Sequence, residues 1–228
     1  RLGYLYMKGY GVKQDYLKAK EYFLLSAKQN NSNALLNLGL IYCNGICGER
    51  DYLKAKEYFE LAAKQNNSDA VLSIGNLYHF GQGVKQDFEI SKKYYELAAK
   101  QNNPNAFLNL GILYHHGEGV KKDYEKAKKY YELAAAQNNS AAFHNLGNLY
   151  FHGHGVKQDF SKAKELFELA VKHGNLDALY DLGHLYYHGQ GVDKNYKIAK
   201  EYFELSAKQN NSSALLYLGD IYYYGQDV

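Results

Sequence analysis

Histidine is the residue type in this sequence with the most capacity for chemistry, because imidazole can bind metal ions, exchange protons and form hydrogen bonds. Of the nine histidines, His184 and His188 are four positions apart, a spacing that can place two imidazoles on one ion. No glutamate stands between them in the H-E-x-x-H arrangement of zinc hydrolases. The pair alone does not predict a metal site, and we expect neither a metal nor a cofactor.

Motifs for catalysis are missing from the sequence. It contains no G-x-S-x-G elbow, no P-loop and no dinucleotide fingerprint after a strand. Cys43 and Cys47 could form a local disulfide or half of a zinc site, but a zinc site needs about four ligands. Two free thiols are the simpler interpretation. The sequence therefore predicts a protein that is not an enzyme.

Charge and hydropathy argue against two classes of partner. The 228 residues include 27 Lys and Arg against 24 Asp and Glu, whereas a nucleic-acid surface requires clustered basic residues. No apolar run reaches the roughly 18 residues that cross a bilayer, so we expect no membrane insertion. No signal peptide is visible, but the sequence starts inside a repeat, so we expect its natural start to be missing. The compartment stays open: cytoplasmic, or secreted or periplasmic.

A repeat of 36 residues organises the whole sequence. Its marker is a glycine after Leu or Ile, found at Gly3, Gly39, Gly75, Gly111, Gly147, Gly183 and Gly219. A strict period of this length is typical of stacked arrays, in which each unit buries its apolar face against its neighbours. We predict a single repeat domain over residues 1–228, with about six repeats and truncated first and last units.

Each repeat contains the signals of two helices, which we call helix A and helix B. Helix A is predicted to start at an Asn N-cap and to end at a left-handed Gly, as at Asn31 and Gly45; Asn175 holds the same register as Asn31. Helix B is predicted to start at an Asp N-cap such as Asp51 and to end at an Asn such as Asn66. The glycine inside every helix A costs about 1 kcal/mol relative to Ala, so its repetition indicates close packing of a neighbouring helix.

Spacing within helix A also predicts which side faces the core. Ala34, Leu35, Leu38, Ile41 and Tyr42 share one face at helical spacing. One turn departs from the usual G-x-G-V, because Cys47 stands where the other repeats have their second glycine. We expect this turn to have a different conformation.

The repeated pattern A-x-x-x-L-G-x-L-Y-x-x-G-x-G-V-x-x-D-Y-x-K-A-x-x-Y-Y-x-x-A-A resembles the Sel1-like repeat, a relative of the tetratricopeptide repeat. The resemblance covers essentially the whole chain. It implies an all-α fold, an α/α solenoid of antiparallel helix pairs wound into a right-handed superhelix. It also implies a scaffold or adaptor that binds a protein or peptide partner.

Two other functions remain open. The Helicobacter cysteine-rich branch of this family carries a disulfide in each repeat and has been linked to penicillin binding, which would imply a β-lactam-binding hydrolase. This chain has no cysteine outside one repeat, so it departs from that branch. The second alternative is a structural spacer without a ligand in its groove.

The partner-binding surface is expected on the helix A positions that turn away from the core, which line the concave groove in tetratricopeptide proteins. These positions vary between repeats, and seven of the nine histidines fall on them. The candidate residues are Asn76, Phe80, Ile112, His115, His116, His144, Asn148, Phe151, His152, His184, Tyr187, His188 and Tyr224. A plain preference for Tyr, Asn and His at half-exposed helix positions would produce the same pattern without any ligand.

Both ends of the sequence lie inside a repeat. The last helix A has no helix B to cover Leu215, Leu218, Ile221 and Tyr222, although terminal repeats of a solenoid normally carry a polar cap. We expect the natural protein to continue at both ends, or these ends to stack on another copy of the chain.

Overall fold

The structure, a computed structural model, describes residues 1–225, which form thirteen α-helices joined by turns and contain no strand. The helices are α1 (Leu2–Lys8), α2 (Tyr16–Ala27), α3 (Ser32–Asn44), α4 (Tyr52–Ala63), α5 (Ser68–Phe80), α6 (Phe88–Lys100), α7 (Pro104–His116), α8 (Tyr124–Ala135), α9 (Ser140–His152), α10 (Phe160–Lys172), α11 (Ala178–His188), α12 (Tyr196–Ala207) and α13 (Ser212–Tyr223). Odd-numbered helices are A helices and even-numbered helices are B helices. The chain divides into two compact units, each described by itself: the first is Arg1–Ala106 with Glu118–Val120, and the second is Phe107–Gly117 with Lys121–Val228.

Side-chain caps start nearly every helix where the sequence predicts. The Asn31 side chain accepts a hydrogen bond from the Ala34 N–H at 3.0 Å, and its copies do the same at α5, α7, α9 and α13. The Asp51 side chain caps α4 in the same way, and its copies cap all the remaining B helices. Each of these bonds satisfies one of the backbone donors that a helix start leaves open.

The predicted N-cap at Asn175 is wrong. Helix α11 begins at Ala178, two residues later than the pattern predicts, and Asp177 precedes it without a side-chain cap bond. Asn175 accepts from the Asp177 N–H at 3.1 Å, which closes a local turn in place of the first turn of a helix.

Helix ends follow the predicted left-handed residues with two differences. Gly45 caps α3 at φ 67°, and Asn66 adopts φ 60°, a conformation that glycine and asparagine tolerate best. Asn66 and its copies lie two or three residues beyond the last helical residue, so they end the turn rather than the helix itself. At the last A helix, the C-cap is Tyr224 instead of the expected Gly225.

Close packing of helix A on helix B explains the glycine inside helix A. A β-carbon on Gly39 would lie 2.4 Å from the Phe59 ring of the same repeat, and the Gly111 position in the second unit meets Tyr131 in the same way. The Asp51 N–H also donates to the Tyr42 carbonyl at 3.0 Å. Residues late in helix A thus meet residues early in helix B, so the two helices are antiparallel.

The repeated tyrosine of helix A lies at the edge of this packing rather than in the core. Tyr42 is half-buried and stacks on Tyr58 of its own helix B, with ring centroids 5.6 Å apart. Two ammonium groups, from Lys20 and Lys54, lie 4.6 Å and 4.7 Å from the Tyr42 ring centroid. The prediction that Tyr42 belongs to the core is therefore corrected: the buried stripe consists of Ala34, Leu35, Leu38 and Ile41.

None of the helices described between residues 1 and 225 has the length and apolar character needed to span a membrane.

Candidate binding surface

Positive charge is almost excluded from the A helices. Lys8 in α1 is the sole Lys or Arg within the seven A helices of the described chain, although the sequence holds 27 such residues. The remaining cations stand on B helices, in turns or at Arg1. We call the exposed and half-buried side chains of the A helices that lie away from helix B the helix A surface. It is a surface of aromatic, aliphatic, amide and imidazole groups with a few carboxylates.

The most exposed of the predicted residues share one register, the end of helix A. This position holds Phe80 in the first unit, and His116, His152, His188 and Tyr224 in the second. Phe80 is 63% exposed and Tyr224 is 64% exposed. Phe80 and Tyr224 are therefore large and mostly bare, and the three histidines are exposed.

The residue just before that position lies between the two helices of its repeat. The His115 ring contacts Tyr124 at 5.2 Å between centroids, and Tyr187 contacts Tyr196 at the same distance. Phe151 packs on Phe160 at 5.4 Å. All three rings are half-buried. They support the exposed side chains beside them and present only part of their own area to solvent.

The other predicted residues are half-buried and mostly held by neighbours. The Tyr95 hydroxyl donates to Asn76 Oδ1 at 2.8 Å, and His144 Nε2 lies 2.8 Å from Asp181 Oδ2. Ile112 packs against the apolar cluster of its unit. The His184 ring lies 5.6 Å from Phe151 and 4.3 Å from His188, and Asn148 holds the same register as Ile112.

Four imidazoles come together in the second unit. His115 lies 4.8 Å from His116 and 6.1 Å from His154, and His152 lies 5.3 Å from His154, all between ring centroids. Burial, with the nearby His116, His154 and cationic Lys122 adding to it, lowers the pKa of His115 to about 4. Burial also lowers the pKa of His184. These two rings are therefore mostly uncharged at neutral pH.

The structure also brings in residues that the sequence pattern did not select. His154 lies in a turn and stacks on Tyr124 at 4.6 Å. Tyr217 of α13 lies among the rings of α11 and stacks on Phe203 at 4.8 Å. The signal that could have identified Tyr217 is a break in the repeat, since the other A helices have Asn, Ser or Asp at its register.

Within residues 1–225, no three His, Cys, Asp or Glu side chains are grouped so that they could hold a metal ion. Cys43 and Cys47 are free thiols, and burial raises the pKa of both. The turn at Cys47 differs from the others as predicted, because the Cys47 thiol donates to the Tyr16 carbonyl at 3.3 Å and Gly48 adopts φ 142°.

A family profile and several solved structures match this chain, and both agree with the architecture described above. A sequence profile of the Sel1 repeat matches residues 1–31, 32–67, 68–103, 105–139, 140–175, 176–211 and 212–228. A Sel1 repeat protein from Oxalobacter formigenes, of known crystal structure, has 34% sequence identity to this chain. The two structures superpose with a TM-score of 0.85 over 92% of this chain and 86% of that one. No curated protein sequence matches the chain.

Two further solved structures share the fold. The protective antigen c5321 of uropathogenic Escherichia coli is 32% identical, with a TM-score of 0.76, over 97% of this chain and 47% of that one. This chain thus spans about half the length of that antigen. The immunity protein Pa5087 from Pseudomonas aeruginosa is 22% identical, with a TM-score of 0.63, over 84% and 73% of the two chains. These similarities confirm the predicted all-α solenoid class.

Proposed function

Because the chain belongs to the Sel1 repeat family, as the sequence resemblance indicated, we propose that it is a protein-interaction module that binds a peptide or a partner protein through its helix A surface. Solenoids of Sel1 repeats are generally scaffolds for protein–protein interaction, and the family is typically without enzymatic activity. The choice of the helix A surface and of its residues is the specific part of this proposal.

One observation carries the proposal: the exposed end of helix A holds four different residue types along the array, whereas the buried alanine near its start is constant. Ala34 and its copies at α5, α7, α9, α11 and α13 are all buried alanines. The end position instead holds Asn44, Phe80, His116, His152, His188 or Tyr224. Large exposed aromatic side chains are typical of interaction sites, and variation at such positions is how a repeat array acquires specificity.

The surface is suited to holding a partner rigidly. In the second unit, exposed His116, His152 and His188 stand beside half-buried rings that helix B keeps in place. Side chains fixed in this way lose little conformational freedom on binding, which favours affinity. Imidazole and amide groups can bond a partner backbone, while aromatic rings pack its side chains.

Photo-crosslinking can show which side of the chain meets the partner. Benzoylphenylalanine placed at Phe80 or at His152 should crosslink to a partner in cells that express the protein. The same probe at Glu57 or Lys129, exposed on B helices of the same two units, is the matched control and should crosslink much less. Crosslinking from the B helices alone would contradict the proposal.

Affinity measurements then test individual residues. We expect His116→Ala and His152→Ala to weaken binding of the crosslinked partner by about fivefold or more each, as expected for central interface residues. Lys129→Ala should leave the affinity unchanged. Unchanged affinity in both histidine variants rejects the surface, and the absence of any crosslinked partner favours a structural spacer.

A further inference from the structure

An aromatic cluster in the second unit lies along α11 on the side that faces α13. The Tyr217 ring is 4.9 Å from Tyr187, 6.0 Å from Tyr180 and 5.9 Å from His188, between centroids. Its hydroxyl lies 3.4 Å from His188 Nε2. The three tyrosines are half-buried and His188 is exposed, so the cluster is packed on one side and open on the other.

A carboxylate stands beside this cluster. Asp220 follows Tyr217 by three residues on α13, which places the two side chains on the same face of the helix. Burial raises the pKa of Tyr187, and the negative charge of Asp220 raises it further. The pKa of Tyr217 is raised by burial, then by Tyr180 and then by Asp220. Asp220 is exposed and makes no ion pair with any residue between 1 and 225.

The chain's own cations occupy other rings. Lys194 lies 4.8 Å from the Tyr196 ring centroid, and Lys200 lies 4.8 Å from that of Tyr222. No Lys or Arg of the described chain lies over Tyr187 or Tyr217. Lys194 still acts on the cluster, because burial and then its charge lower the pKa of His188. The cluster thus combines ring faces and a carboxylate, the two groups that attract a cation, with no Lys or Arg of the described chain over Tyr187 or Tyr217.

We propose that the cluster of Tyr180, Tyr187, His188 and Tyr217, with Asp220, binds an arginine side chain of the partner. This inference rests on the proposed function, which supplies the partner. Arginine fits better than lysine because a planar guanidinium stacks on aromatic rings and pairs with a carboxylate through a fork of donors. α11 and α13 themselves carry no Lys or Arg, and Lys194, in the turn after α11, lies over Tyr196 rather than over the cluster.

A titration with small probes tests the cluster without any partner. N-acetylarginine methylamide should shift the NMR signals of α11 and α13. The citrulline analogue has nearly the same shape without the charge and should bind about tenfold more weakly, the size expected for a cation on aromatic rings with a carboxylate. Asp220→Asn should reduce the arginine response, whereas Glu125→Gln, an exposed carboxylate on α8 of the same unit, should not. Equal response to arginine and citrulline overturns the inference.

A selection from a library of random nonapeptides tests the cluster in its proposed role. Peptides that bind the wild-type chain should be enriched in arginine, and changing that arginine to citrulline should cost about tenfold in affinity on wild type but much less on Asp220→Asn. Peptides that bind without a cationic residue, or that prefer lysine equally, overturn the arginine assignment while leaving the proposed function intact. If no peptide binds, peptide binding is rejected, the crosslinking experiment decides about a partner protein, and the small-probe titration decides about the cluster.

Discussion

Gly111 shows how a single residue fixes the distance between two helices. A β-carbon there would lie 2.4 Å from the ring of Tyr131, which is 1% exposed and enclosed by other side chains. We expect Gly111→Ala to destabilise the protein by about 1–3 kcal/mol, the usual cost of overpacking a core. The midpoint of urea denaturation measures this loss.

Gly219 provides the matched control, because it holds the same register in α13 and a β-carbon there would meet no atom within 4 Å. Gly219→Ala should leave the stability unchanged or raise it by up to about 1 kcal/mol, since Ala is the better helix former. A loss of stability equal to that of Gly111→Ala would contradict the steric explanation.

Because the His115 ring is partly buried, we expect the protein to lose stability in acid. Its pKa is about 4 in the folded protein against 6.5 for a free imidazole, so between these values the unfolded chain binds the extra proton. Stability that is fully present above about pH 6.5 should therefore fall as the pH falls towards 4.

Replacing the His115 imidazole should remove the part of the stability loss that its protonation causes. Phe151 occupies the same register in the next repeat, so His115→Phe places a ring that the fold already accepts there. We expect the variant to lose less stability than wild type between about pH 7.5 and about pH 4.5, measured by urea denaturation at both values. An equal loss in both proteins would show that His115 does not contribute.

At the level of helices, the capping residues make a graded prediction. The Asp159 side chain accepts from the Lys162 N–H at 2.9 Å at the start of α10. Asp159→Ala should cost about 1 kcal/mol, whereas Asp159→Asn should cost little because Asn195 caps α12 through the same bond. Thermal denaturation of both variants checks this order, and equal destabilisation by Ala and Asn would contradict it.

Helix boundaries could be predicted from sequence wherever a local signal decides them. Asn31 and Asp51 satisfy donors within their own first turn, so the residue type is enough. At Asn175 the local sequence offered a competing hydrogen bond, to the Asp177 N–H, and that bond delayed the helix. Tyr42 was misplaced for a different reason: the stacking on Tyr58 and the two lysines are tertiary contacts that helical spacing does not reveal.

The segregation of charge between A and B helices makes a prediction for the whole molecule. Because Lys8 is the sole Lys or Arg within the described A helices, acetylation of the protein's lysines should leave peptide binding to the helix A surface largely intact. Carbethoxylation of the histidines with diethylpyrocarbonate should abolish binding, and hydroxylamine should restore it. Circular dichroism confirms that each treated protein is still folded, and loss of binding on acetylation alone would place the site on the B helices.

The candidate surface could be predicted from sequence only in part. The repeat separates constant from variable positions, which was enough to select His116 and His152, and both are exposed. The repeat could not show that His115 is held against Tyr124, or that Tyr217 joins the rings of α11. Those arrangements depend on which side chain the next helix brings, and helical spacing carries no information about that.

The pairing of Gly39 with Phe59 lies entirely within one period of the sequence, as do its copies at Gly75 and Gly147. Duplicating or deleting 36 residues in frame therefore moves the small residue and its large counterpart together. Such an event adds or removes one repeat without needing a compensating mutation in the rest of the gene. The lineage can lengthen or shorten its array in single steps and then alter the exposed ends of the new helices one codon at a time.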